Sequence, residues 1–282
     1  MFETLKNVFR VKEMRRKLLY LIWMIFIIRI GCQIPVPGVD SDFFKQWFSS
    51  NAGDAFNFFD AFTGGSFERM SIFALNITPY ITSSIIIQLL TIAIPALEEM
   101  QRDGEEGRKK MTAITRYVTV GLALFESIAM AIGFGRQGMI PNLDFFKGVV
   151  VVACLTAGSA MLMWLGERIT EKGVGNGISI VLTINIISRV PSDLTLLYEN
   201  FIKGKTIAKG TLAGLIIAAV ILLVVVLVLI LNGAERRIPV QYSRKMVGRK
   251  LMGGQTTNIP LKVNTAGVIP VIFASSIMSF PG

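Results

Sequence analysis

TLAGLIIAAVILLVVVLVLIL, residues Thr211–Leu231, carries neither a charge nor a side-chain amide. A helix of about 20 such residues is some 30 Å long and matches the hydrocarbon core of a bilayer. In that solvent no water answers a bare backbone N–H or C=O, so the stretch must be a helix. Six more apolar runs flank it, and together they predict helices near Leu18–Pro37, Ile77–Leu97, Ala113–Phe134, Gly148–Leu165, Ile178–Val190, Thr211–Leu231 and Asn264–Phe280. The composition agrees, with 52% hydrophobic and 17% charged residues and a mean hydropathy of +0.58. A soluble domain would carry about a quarter charged residues. The first run lacks a small-residue cleavage site and six further runs follow it, which excludes a signal peptide. The fifth run has few residues before Arg189, so a helix there must draw on its flanks or be sheltered by neighbours.

Lysine and arginine are unevenly divided among the connections. Met1–Lys17, Glu98–Thr112, Gly166–Gly177 and Asn232–Val263 together hold 19, and the alternate connections hold 8. Arg29 and Arg116 fall inside spans. Basic loops stay in the cytoplasm, so the N-terminus and the Asn232–Val263 loop are expected there. The net charge of +10 is spent in these loops and is not interleaved with aromatic side chains as a single-strand nucleic-acid surface would require.

Histidine is absent, which removes the commonest general base and metal ligand. Neither an H-E-x-x-H nor a G-x-S-x-G pattern occurs, so no enzyme and no cofactor is expected. Cys32 and Cys154 lie in apolar runs and read as buried free thiols. Gly133-Phe-Gly-Arg-Gln-Gly138 fits the dinucleotide pattern but ends a span, and the sequon Asn76-Ile77-Thr78 opens one; both read as coincidence. Charges inside a bilayer are functional candidates, and Glu126 sits mid-span in the third run. Arg29 can snorkel outward.

Two connections are unusual. Between the first two runs, Phe58-Phe59-Asp60-Ala61-Phe62-Thr63-Gly64-Gly65-Ser66-Phe67 is too apolar for a free loop and too short for a span. It either lies on the interface or folds back into the bundle, where protein would shelter it. The loop Asn232–Val263 carries Arg236, Arg237, Arg244, Lys245, Arg249 and Lys250. It is either an orientation signal that attracts anionic lipid or a projecting platform for an acidic partner. The second run is rich in hydroxyls, which suit close helix contact or a wet surface. Ile77 and Ile81 share a helix face, as do Ile178 and Leu182, while Ile269 and Ile272 flank Pro270. Such pairs are ordinary packing residues, or, aimed at one axis, an apolar constriction.

Several runs resemble the SecY family, the channel subunits of the bacterial protein-conducting translocon. They are Arg29-Ile-Gly with Ile34-Pro-Val-Pro-Gly-Val-Asp40, Ser71-Ile-Phe-Ala-Leu75 through Gln88-Leu-Leu90, Trp164-Leu-Gly-Glu167 with Gly175-Asn-Gly-Ile-Ser-Ile180, and Leu261-Lys-Val-Asn264 with Ala266-Gly-Val-Ile-Pro270. The resemblance implies an all-α polytopic fold with an inverted repeat and ten spans. The sequence is therefore expected to be a portion truncated after the seventh. It divides into a first half (1–190), an external hinge loop (191–210) and an incomplete second half (211–282).

By the same resemblance Ile77, Ile81, Ile178, Leu182 and Ile272 form a pore ring. Phe59, Asp60, Ala61, Phe62, Thr63, Gly64, Gly65, Ser66, Phe67, Glu68 and Arg69 form a plug. Thr82 and Glu126 lie at a lateral gate, and Arg244, Lys245, Arg249 and Lys250 dock a ribosome or the SecA motor. The implied partners are SecE, SecG, SecA or the ribosome, signal peptides, unfolded secretory chains and membrane lipid, and the implied location is the bacterial cytoplasmic membrane. The rival expectation, from Glu126 and the short fifth run, is an ion-coupled small-molecule transporter.

Overall fold

The structure, a computed structural model, describes residues 11–51, 60–138, 140, 144–203, 207–240, 245–247, 250–252, 257–265, 267 and 274. Eight helices dominate them: α1 (Lys12–Gly31), α2 (Ser41–Asn51), α3 (Thr78–Ala93), α4 (Pro95–Arg102), α5 (Gly104–Arg136), α6 (Phe145–Lys172), α7 (Gly177–Phe201) and α8 (Ile207–Gly233). Four of them, α5 to α8, are long and apolar enough to cross a membrane, and the bent pair α3–α4 would make a fifth. The 20-residue α1 falls outside that group because Arg15, Arg16, Lys17 and Arg29 all lie on it. The predicted seventh span, Asn264–Phe280, lies almost entirely outside the described residues.

Local chemistry sets the helix ends. Ile94 is extended, at φ −113 and ψ 111, because a residue before proline is pushed out of the helical region. The chain bends there by 104°, so the second span closes at Ala93 and not at the expected Leu97. Asp144 caps α6 by accepting the Phe145 N–H at 2.9 Å. α7, predicted over Ile178–Val190, is the largest departure from expectation. It does not stop near Val190 but runs 25 residues to Phe201, with Pro191 inside it. Most of the expected external loop 191–210 is therefore helical. Pro191 has no N–H to donate along the helix, and beside it the Ser192 hydroxyl donates to the Arg189 carbonyl at 2.7 Å.

α5 is the central packing element, in contact with α3, α4 and α6, while α6 also meets α1. Its buried face is a row of small and hydroxyl side chains: Thr115, Thr119, Ala123, Ser127 and Ala131. α3 buries Pro79, Ser83, Ile87 and Thr91, again at every fourth residue. Both rows follow the four-residue ridge that lets helices interlock. Ser83 donates to the Thr115 carbonyl at 2.9 Å, and the Ser127 and Thr156 hydroxyls pair at 3.0 Å. The hydroxyls of the second run are thus used for close contact.

Two apolar clusters hold the helices together. One joins Phe44, Phe67, Met70, Leu75, Ala123, Phe134 and Leu155; the other joins Met24, Ile28, Phe73, Leu162, Leu165, Ile169 and Val181. The described residues of the loop Asn232–Val263 include four strands. β1 (Glu235–Val240) pairs antiparallel with β4 (Thr257–Lys262), and β2 (Lys245–Val247) with β3 (Lys250–Met252). The chain divides into two compact units, Met1–Asp193 and Leu194–Gly282.

Candidate functional site

The turn between α6 and α7 is drawn tight by its own polar atoms. The Thr170 hydroxyl donates to the Gly166 carbonyl at 3.0 Å and accepts the Gly177 N–H at 2.8 Å. Asn176 accepts the Ile178 N–H at 3.1 Å. A Cβ on Gly177 would collide with the Gly166 carbonyl, so that pairing demands glycine. This closure brings Ile178 onto Gly166, where a Cβ would stand 3.3 Å from Ile178 Cγ1 and 3.5 Å from Ile77 Cδ1. Ile77, completely buried, immediately precedes α3. Two residues 101 positions apart in sequence thus converge on one bare backbone. Ile81 and Leu182 follow one turn along α3 and α7 and are half-buried. Ile272 lies outside the described residues.

A cavity of about 620 Å³ is lined by Ile178 together with Tyr80, Arg116, Trp164 and Glu167. Arg116 pairs there with Glu167 at 2.8 Å, bridging α5 and α6.

Phe59 lies outside the described residues; Asp60 to Arg69 are folded into the protein. Asp60 and Thr63 are fully buried, and Ser66, Phe67 and Met70 nearly so. This is a folded-back segment, not a loop on the interface. Asp60 organises it: its carboxylate accepts the Glu68 N–H at 2.9 Å and the Thr63 hydroxyl at 3.2 Å. Gly64 and Gly65 take φ of +67 and +80, the left-handed region that glycine enters without penalty. Phe67 sits edge-on to Phe44 at 5.9 Å between ring centres and to Phe134 at 6.1 Å. The motif Ile34-Pro35-Val36 holds the far end, because the Val36 N–H donates to the Met70 carbonyl and the Ile72 N–H to the Ile34 carbonyl, both at 2.9 Å. Arg69 reaches Gln33 at the surface.

The segment is fastened to α7. Arg189 forms an ion pair with the buried Asp60 carboxylate. It also meets Asp193 at 3.4 Å. Arg29 does not snorkel; it donates to the Asn185 side chain at 3.2 Å. Asn185 passes a hydrogen bond to Asn76 at 3.0 Å, and Asn76 donates to the Phe62 carbonyl at 2.9 Å. Asn76 holds a left-handed φ of 53, which asparagine tolerates better than most residues. Its side chain is enclosed, which disposes of the sequon. Sequence reasoning missed Asn185 and Arg189. The available signal was their spacing from Leu182 and Ile178 along one helix face.

Thr82 on α3 and Glu126 on α5 are both half-buried, on helices that touch. Arg244 and Arg249 lie outside the described residues, whereas Lys245 opens β2 and Lys250, opposite Val247, opens β3. Cys32 and Cys154 are free thiols. No group of three potential metal ligands occurs among the described residues.

The described residues thus form a polytopic helical bundle that buries a folded-back segment. One solved protein-conducting channel superimposes with a TM-score of 0.61 at 19% identity, covering 94% of this chain and 56% of its own. Sec61 in the canine ribosome–channel complex from the endoplasmic reticulum gives 0.57 at 19% identity, over 94% of this chain and 57% of that one. A sequence profile of the SecY family matches residues 71–282. The protein translocase subunits SecY of Halalkalibacterium halodurans and Escherichia coli K12 are 44% and 42% identical, over 100% and 95% of this chain. The chain belongs to the SecY family and is a multi-pass membrane protein. It spans 66% and 61% of the length of those two relatives. The small-molecule transporter expectation finds no support in these relatives, and the short fifth run that motivated it is a full-length helix.

Proposed function

We propose that this chain supplies the pore-lining part of a protein-conducting channel in a bacterial cytoplasmic membrane, with its N-terminus on the cytoplasmic side. The observation that carries the proposal is the meeting of Ile77 and Ile178, from separate helices, on Gly166, beside a segment buried in protein. With Ile81, Leu182 and Ile272 they form an aliphatic ring. Such a ring offers an unfolded chain few hydrogen bonds and yields to side chains of any size. It also makes an ion shed its hydration water, which limits leakage. In this role the segment Phe59–Arg69 is the plug that occupies the resting channel. α3 and α5, with the predicted seventh span Asn264–Phe280, flank a lateral gate through which apolar helices leave sideways into lipid, with Thr82 and Glu126 as its polar contacts. Signal peptides and secretory chains are the cargo, SecE and SecG the companion subunits, and SecA or a ribosome the motor docking at Arg244, Lys245, Arg249 and Lys250. The chain itself catalyses no covalent step.

Ile81→Cys, in a background free of Cys32 and Cys154, should crosslink to a stalled secretory chain in membrane vesicles. Silence there and at Ile77, Ile178 and Leu182 would defeat the pore assignment.

A further inference from the structure

Ile178, Leu182, Asn185 and Arg189 lie on α7 at spacings of four, three and four residues. At 3.6 residues per turn they fall within about 60° of one another and form one stripe. The first two are the proposed ring members. The other two hold the folded-back segment, Asn185 through Asn76 to the Phe62 carbonyl and Arg189 through Asp60. Gly64 closes the same contact, since a Cβ there would meet the Asn185 carbonyl and stand 2.9 Å from Ser188 Oγ.

We propose that α7 is a coupling rod: a polypeptide that pushes Ile178 and Leu182 outward carries Asn185 and Arg189 with them and unfastens the folded-back segment. The inference rests on the channel reading and adds the residues that transmit opening. A packed helix moves as a unit, because its internal hydrogen bonds are stiffer than its side-chain contacts. The fastening is also brittle. Asp60 is fully buried, so a small displacement of Arg189 leaves a carboxylate without its countercharge. Leu182 and Arg189 are seven residues apart, two turns or about 10 Å of helix. Force at the ring therefore arrives at the fastening with little loss.

Ser66→Cys, in the background Cys32→Ala and Cys154→Ala, provides the reporter because Ser66 is 1% exposed. Its reaction with a membrane-impermeant maleimide is timed in vesicles from cells expressing the chain with its own partners. Arg189→Ala and Leu182→Trp should each speed labelling, the former by roughly 100-fold. The double variant should be no faster than the quicker single one, because both act through one rupture. Rates that multiply, or an unchanged rate in Leu182→Trp, overturn the coupling. Should Arg189→Ala fail to accumulate, Asn185→Ala, which cuts the bond to Asn76 and leaves the pair of Asp60 and Arg189 in place, takes its place in the same cycle, read by the same two criteria. Export of a secretory chain is measured alongside in the unsubstituted chain. Its absence sinks the channel reading, whereas intact export with multiplying rates sinks the coupling alone.

Discussion

Arg189 is tolerable in an apolar helix because a carboxylate answers it and a second, Asp193, lies one turn away. Removing one member of a buried pair costs about 3–5 kcal/mol, chiefly from the charge left behind, while replacing both with neutral groups is often nearly free. Arg189→Met should therefore lower the thermal midpoint in detergent sharply, and Asp60→Asn in the same molecule should restore most of the loss. Equal damage from the single and double variants would show that the pair is not closed. Gly64→Ala belongs to the same scale. It forces a left-handed φ on alanine and meets the α7 backbone, so a loss of about 1–3 kcal/mol is expected by the same melting assay. The partnership of Arg189 was illegible in the sequence for a physical reason. Hydropathy treats a charge as a cost to the membrane and has no knowledge of a counterion 129 positions upstream. Asp60 was legible as part of a folded-back segment, but not what would neutralise it.

At the scale of elements, the contact between α3 and α5 is narrow because Ser83 and its neighbours are small. Ser83→Ala removes one interhelical hydrogen bond, worth about 0.6 kcal/mol in a membrane, and should be nearly silent. Ser83→Leu places a large side chain where the residue is fully buried; prying the helices apart should cost about 1–3 kcal/mol, measured as a lower melting midpoint. Equal effects of the two variants would contradict the tight seam. The long spans were legible because a run such as Thr211–Leu231 has one viable conformation in lipid. Their ends were less so. The expected fifth span stopped at Val190, just past the charge of Arg189, although an ion pair carries the helix on, and the expected second span ran past Pro95, which ends it. The ribbon of β1 and β4 went unseen because its residues, Ile238 and Ile259 among them, are exposed on a two-stranded sheet. A half-buried strand would have shown alternation; this one has no buried face to impose it.

For the molecule as a whole, charge asymmetry decides which way the helices run. α5 has Arg108 near one end and Arg136 at the other, both exposed. In the cysteine-free background, Arg108→Cys should react with an impermeant thiol reagent only from the cytoplasmic side, and Arg136→Cys only from outside. The reverse pattern would invert the orientation. Charge would also set the strength of the proposed docking. Arg249→Glu with Lys250→Glu should weaken binding to a ribosome or motor, most strongly at low ionic strength. Affinity unchanged across a salt series would remove these residues from the interface.

The aromatic cluster has an optical consequence. Trp47 stands 6.3 Å from both Phe44 and Phe134, and both rings also touch Phe67. Indole emission shifts to longer wavelength when water replaces hydrocarbon around the ring. With Trp23→Phe and Trp164→Phe leaving a single fluorophore, departure of Phe67 would let water reach Trp47, and the spectrum would redden. Trp47 would thus gauge departure of the proposed plug, readable without any attached dye.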